Sequence, residues 1–337
     1  MRVLVAKENS LSWHFRCLKP FEALQKAYPE IDVYFFEPAI KDLDEGWDVC
    51  VFSELDTPYG EIFLDECKKR KIATIIDIDD DFFSLPPSTE TYGDFYTRGS
   101  CEPKDKLRFL IRNLAKADLI TVTTKVLQEV YSPINSNIVL LPNQIDLSIW
   151  STNESFDKRN EFWIGWQGTY NHWDDFMVVR KPLTEILRES NFIKLVLAGF
   201  PEVIHQFPKD VHKQLIRIPF SDDLRQVAKL CRSCDIGLAP LNNCAFNEAK
   251  SDLKALQYGA VGLCTVASHV CYSKTIIDKE TGLLANSESD WYNSIRQLID
   301  NKNMRQDLGK ALEKYVYTER SIEGNIENLK YVLELMR

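Results

Sequence analysis

The sequence predicts an α/β protein built from two doubly wound parallel sheets, each covered by helices. Short runs rich in Val and Ile alternate along the chain with longer amphipathic runs. Many of the short runs are apolar at every position, which is typical of parallel strands that helices cover on both faces. Alternation of strands with helices indicates βαβ units. At about 150 residues per domain, the 337 residues suggest two domains.

Strands are predicted where a short apolar run ends in a polar or glycine-containing loop. In the first half these runs are 2–6, 31–36, 48–53, 72–78, 118–123 and 137–141. In the second half they are 162–166, 194–199, 214–218, 235–239 and 263–267. Apolar residues at helical spacing predict helices at 12–28, 58–70, 104–116, 124–131, 174–190, 221–233, 249–260 and 290–316. The final segment, 321–337, is an amphipathic helix that must pack on another apolar surface.

The polar segment 151–160 (STNESFDKRN) has no apolar periodicity and predicts a linker. We therefore expect an N-terminal domain over 1–155, a C-terminal domain over 156–318 and a terminal helix over 319–337. The two domains are expected to face each other across a cleft. Because ligands of doubly wound sheets bind beyond the carboxyl ends of the strands, functional residues are expected in the loops that follow strands.

Charge and composition narrow the class of protein. Acidic residues outnumber basic ones by 50 to 41, and the resulting net charge of −9 disfavours a nucleic-acid partner. No apolar run approaches the roughly 18 residues of a spanning helix, and the first run is too short for a signal peptide. The nine cysteines are odd in number and lie mostly within apolar runs, as in a reducing compartment. The pair Cys231 and Cys234 lacks a second pair for zinc. A cytoplasmic protein is therefore expected.

Two loops of the C-terminal half carry residues that suit an anion. In the first, Gly168 and Thr169 end a strand shortly before a helix, whose free N-terminal amides can bind phosphate. A tight βα turn accounts for the glycine equally well, and the loop matches neither the Walker nor the dinucleotide sequence. In the second, Lys250, Ser251 and Lys254 gather at a predicted helix start, where lysines oppose the helix dipole unless an anion binds. A solvated polar face is the alternative.

Two loops of the N-terminal half carry polar residues after a strand. Three consecutive acids at 79–81 follow the strand 72–78 and cannot all be buried without partners. They are solvated, cap a helix, or meet a cation or a polyhydroxy ligand. The loop after the first strand contains Ser12, His14 and Arg16 among aromatic residues, as sugar-binding loops often do. A capped helix start explains that loop as well.

Taken together, these segments resemble the retaining glycosyltransferases of the GT-B fold, of the family-4 type. The resemblance covers about 120 residues of the C-terminal half in register. It is carried by 164–169 (IGWQGT), 195–199 (LVLAG), 218–224 (IPFSDDL), 228–241 (AKLCRSCDIGLAPL), 250–268 and 281–284 (TGLL). The N-terminal half resembles the family only in general organisation.

The resemblance implies a nucleotide-sugar donor in the C-terminal domain and a hydroxyl acceptor in the N-terminal domain. It also implies a terminal helix that crosses back to the N-terminal domain, retention of configuration, and no metal ion or other cofactor. Lys254 with the amides of Gly168 and Thr169 is expected to stabilise the leaving diphosphate. The remaining expected donor contacts are His172, Ile218, Phe220, Lys250, Ser251 and Gln257. Asp79 and Asp80 join Lys254 as expected catalytic residues, and Ser12, His14 and Arg16 are expected on the acceptor side.

One feature of the family is altered. Its donor helix often carries two glutamates eight positions apart, and in this register those positions hold Ala249 and Gln257. Relatives with an aspartate-rich loop have a Lys-Ser-x-x-Lys segment instead, as residues 250–254 do. The altered positions therefore leave the predicted fold unchanged, but they do not identify the donor sugar.

Three readings of the activity follow. The first is transfer from a nucleotide sugar, with UDP as the most frequent base, to a glycan, a lipid-linked acceptor or another hydroxyl. It would take place in the cytoplasm, with peripheral association at the inner face of a membrane left open. The second is a sugar-nucleotide epimerase of the same fold. The third is a catalytically degenerate module that binds a nucleotide sugar or a partner, which the missing glutamates favour.

Overall fold

The computed structural model describes residues 1–8, 10–151, 153–156 and 160–337. The chain forms two compact units. Unit 1 comprises Met1–Gln144, Ala249–Ser251 and Ile322–Arg337, and unit 2 comprises Ile145–Glu248 and Asp252–Ser321. The change of unit after Gln144 precedes the boundary expected at 155/156, and part of the expected linker, at 152 and 157–159, lies outside the described residues.

Unit 1 contains a parallel sheet in the order β2-β1-β3-β4-β5-β6. Val3 of β1 is opposite Val33 of β2 on one side and Val49 of β3 on the other. The chain therefore starts inside the sheet, runs to one edge, and then returns past β1. The strands are β1 (Arg2–Ala6), β2 (Asp32–Phe36), β3 (Val49–Ser53), β4 (Ala73–Ile78), β5 (Leu119–Val122) and β6 (Ile138–Leu140).

The helices of unit 1 follow the strands closely. Pro58 at the start of α3, with Thr57 as its cap, shows why that helix begins where it does. The helices are α1 (Leu11–Trp13), a π-helical turn (His14–Leu18), α2 (Lys19–Ala27), a 3₁₀ helix (Ile40–Glu45), α3 (Pro58–Lys69), α4 (Tyr92–Phe95), α5 (Asp105–Lys116) and α6 (Lys125–Tyr131).

Unit 2 contains a second parallel sheet, in the order β12-β11-β10-β7-β8-β9. Its strands are β7 (Phe162–Gln167), β8 (Ile193–Gly199), β9 (Leu215–Pro219), β10 (Ile236–Ala239), β11 (Thr265–Ser268) and β12 (Leu283–Ala285). Its helices are α7 (Leu147–Trp150), α8 (Trp173–Glu189), α9 (Leu224–Ser233), α10 (Ala245–Ala249), α11 (Leu253–Ala260), α12 (His269–Tyr272), α13 (Glu288–Asp300) and α14 (Lys302–Glu319). Further 3₁₀ helices are Tyr170–His172, Pro201–Gln206 and Lys209–Gln214.

The terminal helix α15 (Ile322–Glu334) belongs to the core of unit 1. Its apolar residues are buried in one cluster with residues of β1, β2, β3 and α2. They are Ile322, Ile326, Leu329, Val332 and Leu333, the set whose spacing predicted an amphipathic helix. The chain therefore returns to unit 1 after completing unit 2, because this face can be buried only against another apolar surface.

The predicted α/β class with parallel sheets is confirmed, and the differences are local. Strand β12 was not predicted, because three residues are too few for a visible period. The helix expected at 249–260 is interrupted by residues 250–252, which lie between α10 and α11. The helix expected at 290–316 is two helices separated at Asn301. The nine cysteines, all within the described part of the chain, are free and mostly buried.

A buried ion pair connects the loop after β1 to the end of β4. Arg16 donates from Nη2 and Nε to the two carboxylate oxygens of Asp77, at 2.6 and 2.9 Å. Its Nη1 donates to the carbonyl of Leu141 and to the side chain of Asn143, at 2.7 and 3.1 Å. Both charged side chains are about 95% buried or more, with exposed fractions of 3% and 5%. Arg16 is thus an internal brace in this structure, and its donors face protein groups.

We expect Arg16→Met to lower the free energy of unfolding of unit 1 by about 3–5 kcal/mol, because Asp77 would remain as a buried charge without its partner. Urea unfolding followed by circular dichroism measures the change. Lys19→Met is the matched control, since its pair with Glu22 is partly exposed and should contribute less than about 1 kcal/mol. Equal effects of the two substitutions would contradict the assignment of Arg16 as a brace.

Candidate functional site

Each sheet has one point at which the chain order reverses. In unit 1 it lies between β1 and β3, and in unit 2 it lies between β7 and β10. The loops that leave two such neighbouring strands diverge to opposite faces of the sheet, which opens a crevice at the carboxyl edge. Functional side chains are therefore expected at the crevice of each unit.

In unit 1, carboxyl groups follow three adjacent strands. Glu8 comes after β1, Glu54 directly after β3, and Asp79 directly after β4. Glu54 and Asp79 share a hydrogen bond, and Ser12 donates a hydrogen bond from Oγ to Asp79. Because parallel strands end at one edge, side chains from distant parts of the sequence form one cluster here.

Burial and mutual repulsion favour the protonated forms of these acids. Burial, together with the charges of Asp79, Asp80 and Glu8, raises the pKa of Glu54 well above its usual value. Burial and the charge of Asp80 raise the pKa of Asp79. Burial also raises the pKa of Glu8, against the opposing effect of a hydrogen bond with Ser53. The cluster therefore holds protons that isolated carboxyl groups would lose.

Asp80 differs from its neighbours because it has a cationic partner. Lys250 Nζ lies 3.1 Å from Asp80 Oδ1. The adjacent Ser251 Oγ accepts a hydrogen bond from Asn143 Nδ2 at 2.8 Å, and Asn143 also accepts from Arg16. Lys250 and Ser251 were expected to contact the donor from a helix start. In the structure they precede α11 and belong to unit 1.

Ser12 and His14, which were expected on the acceptor side, follow Glu8 by a few residues in the sequence. Ser12 is half-buried in α1 and contacts Asp79. His14 is half-buried, and its ring packs edge-on against Phe15, with the centroids 5.8 Å apart. Sequence reasoning missed Glu8 and Glu54 as site residues. The signal was present, since each is an acid that follows a buried strand.

In unit 2, the loop after β7 approaches the backbone of β8 closely. Gly199 ends β8 with a φ of +91°, and a Cβ at this position would lie 2.5 Å from the carbonyl oxygen of Gly168. Gly168 N donates to the carbonyl of Ala198 at 3.0 Å. Only glycine at position 199 fits both the left-handed backbone and this contact. Gly168 is half-buried and Thr169 is exposed at the carboxyl edge, as a ligand-contacting loop requires.

His172 and Asp175 form a pair at the start of α8. His172 Nδ1 lies 3.0 Å from Asp175 Oδ2, and the exposed fractions of the two side chains are 24% and 9%. His172 was expected among the donor contacts, whereas Asp175 was not singled out from the sequence.

Lys254 and Gln257 lie on α11, which begins at Leu253. Lys254 Nζ lies 5.8 Å from the centre of the Trp166 ring, within reach of a cation–π interaction. Gln257 is 9% exposed, and its Oε1 accepts a hydrogen bond from Gln167 Nε2 at 2.8 Å. Lys254 thus adds its charge to the positive end of the helix, and Gln257 is held by the last residue of β7.

Ile218 and Phe220 lie at the carboxyl end of β9, the edge strand next to β8. Ile218 is half-buried, and Phe220 has an exposed fraction of 52%. An exposed aromatic ring beside a glycine-containing loop can pack against a planar group such as a nucleotide base. These two residues are at the same edge of the sheet as Gly168 and Gly199.

Sequence and structure comparisons connect the chain to known proteins. Residues 161–301 match the family described as Glycosyl transferases group 1. Anabaena Alr3699/HepE in complex with UDP-glucose is similar in structure, with a TM-score of 0.70 and 10% identity, over 99% of this chain and 100% of that one. Sucrose-phosphate synthase from Thermosynechococcus elongatus has a TM-score of 0.71 and 13% identity, over 99% and 98%.

A third similar structure covers less. It is the pneumococcal O-GlcNAc transferase GtfA in complex with UDP and GlcNAc, with a TM-score of 0.65 and 13% identity over 88% of this chain and 58% of that one. A search of curated protein sequences finds no match. The predicted GT-B fold is confirmed, and the family match lies in the half of the chain whose segments carried the predicted resemblance.

Two further findings concern metals and membranes. Among the described residues, no group of three His, Cys, Asp or Glu side chains is arranged to hold a metal ion. Within the same residues, no helix is both long and apolar enough to cross a membrane.

We expect Glu54→Gln to raise the thermal midpoint at pH 8 and to have a smaller effect near pH 4. The raised pKa means that folding opposes ionisation of Glu54, so this cost is absent below the unfolded pKa of about 4.3 and complete above the folded pKa. Differential scanning calorimetry across this pH range tests it. Glu22→Gln, at a largely exposed glutamate, is the control. A midpoint difference that does not grow with pH would contradict the burial of a proton at Glu54.

Proposed function

We propose that this group 1 glycosyltransferase of the GT-B fold transfers a sugar from a nucleotide-sugar donor, with UDP as its nucleotide, to a hydroxyl acceptor. The observation that carries the proposal is the carboxyl edge of unit 2, where a close glycine turn, a helix start with a lysine, and an exposed aromatic residue lie at the ends of β7 to β10. The family match covers this same unit.

The diphosphate of the donor needs positive charge that does not have to be reorganised during the reaction. Lys254 stands in the first turn of α11, at the positive end of the helix dipole. The amide of Thr169 adds a hydrogen-bond donor from the loop after β7, whereas the amide of Gly168, which was expected to do the same, already donates to the carbonyl of Ala198. Lys254 and the Thr169 amide would stabilise the charge that develops as the nucleoside diphosphate leaves, so we propose that transfer requires no metal ion.

The base and the ribose would be bound by the neighbouring residues. Phe220 and Ile218 offer an apolar surface for the base. Gln257 offers an amide for the ribose hydroxyls, although its Oε1 already accepts from Gln167, which leaves the Nε2 protons for a ligand. We favour UDP because the similar structures of Alr3699/HepE contain UDP or UDP-glucose, and that of GtfA contains UDP. Gln257 in place of a glutamate removes one charge from the ribose contact.

The acceptor would be bound by unit 1. Asp79, with Ser12 as hydrogen-bond donor, and Asp80, paired with Lys250, place polar groups at its crevice. Carboxyl groups suit a polyhydroxy acceptor because the ionised form accepts several hydrogen bonds and the protonated form can also donate one. We propose a glycan or lipid-linked acceptor in polysaccharide synthesis, retention of configuration, and action in the cytoplasm at the inner face of a membrane.

We expect UDP or a UDP-sugar to raise the thermal midpoint of the wild type equally with and without Mg²⁺. A ligand at 100 times its Kd adds about 2.7 kcal/mol of stability. Lys254→Met should abolish most of this shift and reduce transfer at least about tenfold, because a charge-assisted contact to phosphate is lost. Lys314→Met, at an exposed lysine of α14, is the control. An unaltered shift in Lys254→Met would contradict the diphosphate assignment, and a shift that depends on Mg²⁺ would contradict metal independence.

We expect Asp79→Asn and Asp80→Asn to reduce kcat while the thermal shift with UDP stays unchanged, because both residues act on the acceptor. Turnover is measured as UDP release in the presence of glycan and lipid-linked acceptors. Asp94→Asn, at an exposed acid of the same unit, is the control. Full rates in both variants would make the acid cluster structural. Nucleotide binding without turnover on any acceptor would favour the degenerate binding module, and a changed sugar without an acceptor would favour an epimerase.

A further inference from the structure

Asp175 is the most completely hydrogen-bonded carboxylate at the crevice of unit 2. Its Oδ1 accepts from the backbone N–H of Asn242 at 2.9 Å and from Asn247 Nδ2 at 2.7 Å. Its Oδ2 lies 3.0 Å from His172 Nδ1. The residue is 6% exposed. A buried charge with three partners is a built arrangement, because burial without partners would cost several kcal/mol.

These contacts join the two loops at which the chain order of the sheet reverses. His172 and Asp175 follow β7, whereas Asn242 and Asn247 follow β10. Asn247 is itself 2% exposed and donates a second hydrogen bond to the carbonyl of Asn242 at 2.9 Å. The carboxylate is therefore fixed from the β10 side, and the partly exposed imidazole of His172 contacts it from the β7 side.

The environment keeps Asp175 ionised. Burial alone would raise its pKa, but the hydrogen bond and charge of His172, with the hydrogen bonds from Asn242 and Asn247, lower it below its usual value. The charge of Asp175 also acts on Tyr272 of α12, and burial raises the pKa of that phenol so that it stays neutral. Asp175 is thus the anion that faces the imidazole.

An anion at this distance determines how His172 carries its protons. Nδ1 must hold a proton to donate to Asp175, and the carboxylate favours the imidazolium over the neutral ring. Nε2, across the ring, then carries the second proton. The side chain is 24% exposed and stands immediately before α8, near the loop of Gly168 and Thr169.

We propose that Asp175 is a positioning residue that keeps His172 as an imidazolium and directs its Nε2–H to the diphosphate of the nucleotide donor. The role rests on the proposed function, because it requires a nucleoside diphosphate at this crevice. His172 donates a hydrogen bond and keeps its proton, so the step leaves the balance of protons unchanged. It supplies a positive charge in addition to that of Lys254, from the segment between β7 and α8.

The first test is the pKa of His172 in the wild type, followed by NMR of the imidazole nitrogens without any ligand. We expect a value above the ordinary 6.5, and a fall of at least about one pH unit in Asp175→Asn, since a neighbouring opposite charge shifts a pKa by about 1–3. Asp174→Asn, at the exposed neighbour in the same helical turn, should leave it unchanged. A wild-type value at or below 6.5 would overturn the proposal without any variant.

The second test is UDP binding by calorimetry between pH 6 and 9. His172 loses the charge of its imidazolium as the pH rises through its pKa, so the affinity for UDP should fall at high pH. In Asp175→Asn this fall in affinity should occur at a lower pH. At pH 8 we expect Asp175→Asn to bind UDP at least about tenfold more weakly, because a charged donor is replaced by a neutral one.

A double variant separates positioning from a purely structural effect. His172→Gln should weaken UDP binding and leave only the pH dependence of the terminal phosphate of UDP, whose second pKa is about 6, and adding Asp175→Asn should then weaken binding no further. Additive losses in the double variant, or a fall in affinity at high pH that is as large in His172→Gln as in the wild type, would overturn the role of Asp175. If the wild type binds none of UDP, GDP, ADP and CMP, the proposed function fails and this role with it. If the wild type binds UDP and Asp175→Asn binds it with the same affinity and pH dependence, the role of Asp175 is overturned and the proposed function is not.

Discussion

The parallel direction of every strand pairing in the two sheets is the constraint on which both candidate sites depend. Because all strands of a sheet end at one edge, each loop that follows a strand starts from that edge. Residues that are far apart in sequence, such as Glu8, Glu54 and Asp79, are then neighbours because the strands that they follow end side by side. The reversal of chain order beside β1 and beside β7 opens the crevice into which these loops project.

Buried carboxyl groups at the two edges are of two kinds. Asp77 and Asp175 are ionised carboxylates with enough donors to offset their burial, from Arg16 in one case and from His172 and two asparagine residues in the other. Glu54 and Asp79 have too few donors, and their environment favours protons instead. A well-paired carboxylate fixes the backbone around it, whereas a carboxyl group with a raised pKa keeps its proton to a higher pH than an isolated one.

The altered donor helix has a physical counterpart in the structure. Where the family often has two glutamates, Ala249 is fully buried and Gln257 is hydrogen-bonded to Gln167. A glutamate at position 257 would place a buried carboxylate against an amide. The glutamine removes that charge from the turn of α11 that follows Lys254. With glutamine instead of glutamate at position 257, the site carries less negative charge and is more favourable for an anion such as a diphosphate.

The sequence by itself determined the elements and their class. Apolar runs and helical spacing predicted eleven strands and the principal helices, since these patterns are local and repeat within a few residues. The five apolar residues of 321–337 likewise predicted a helix that must be buried. The short strand β12 and the break at 250–252 escaped prediction, because neither extends far enough to show a period. The loops that carry Gly168, His172, Lys254 and Asp79 were found because each follows a strand.

Only the tertiary structure decided which side chains meet. It turned Arg16 inwards to Asp77, joined Lys250 to Asp80, and brought Glu8 and Glu54 to Asp79. It also revealed Asp175 as the partner of His172, through contacts with Asn242 and Asn247 that lie about 70 residues away, at separations of 67 and 72. Such partners are set by strand order and by the direction in which each loop leaves the sheet. A sequence pattern with a period of a few residues does not show which side chains become partners. The free energy of burying a charge, however, depends on whether those partners are present.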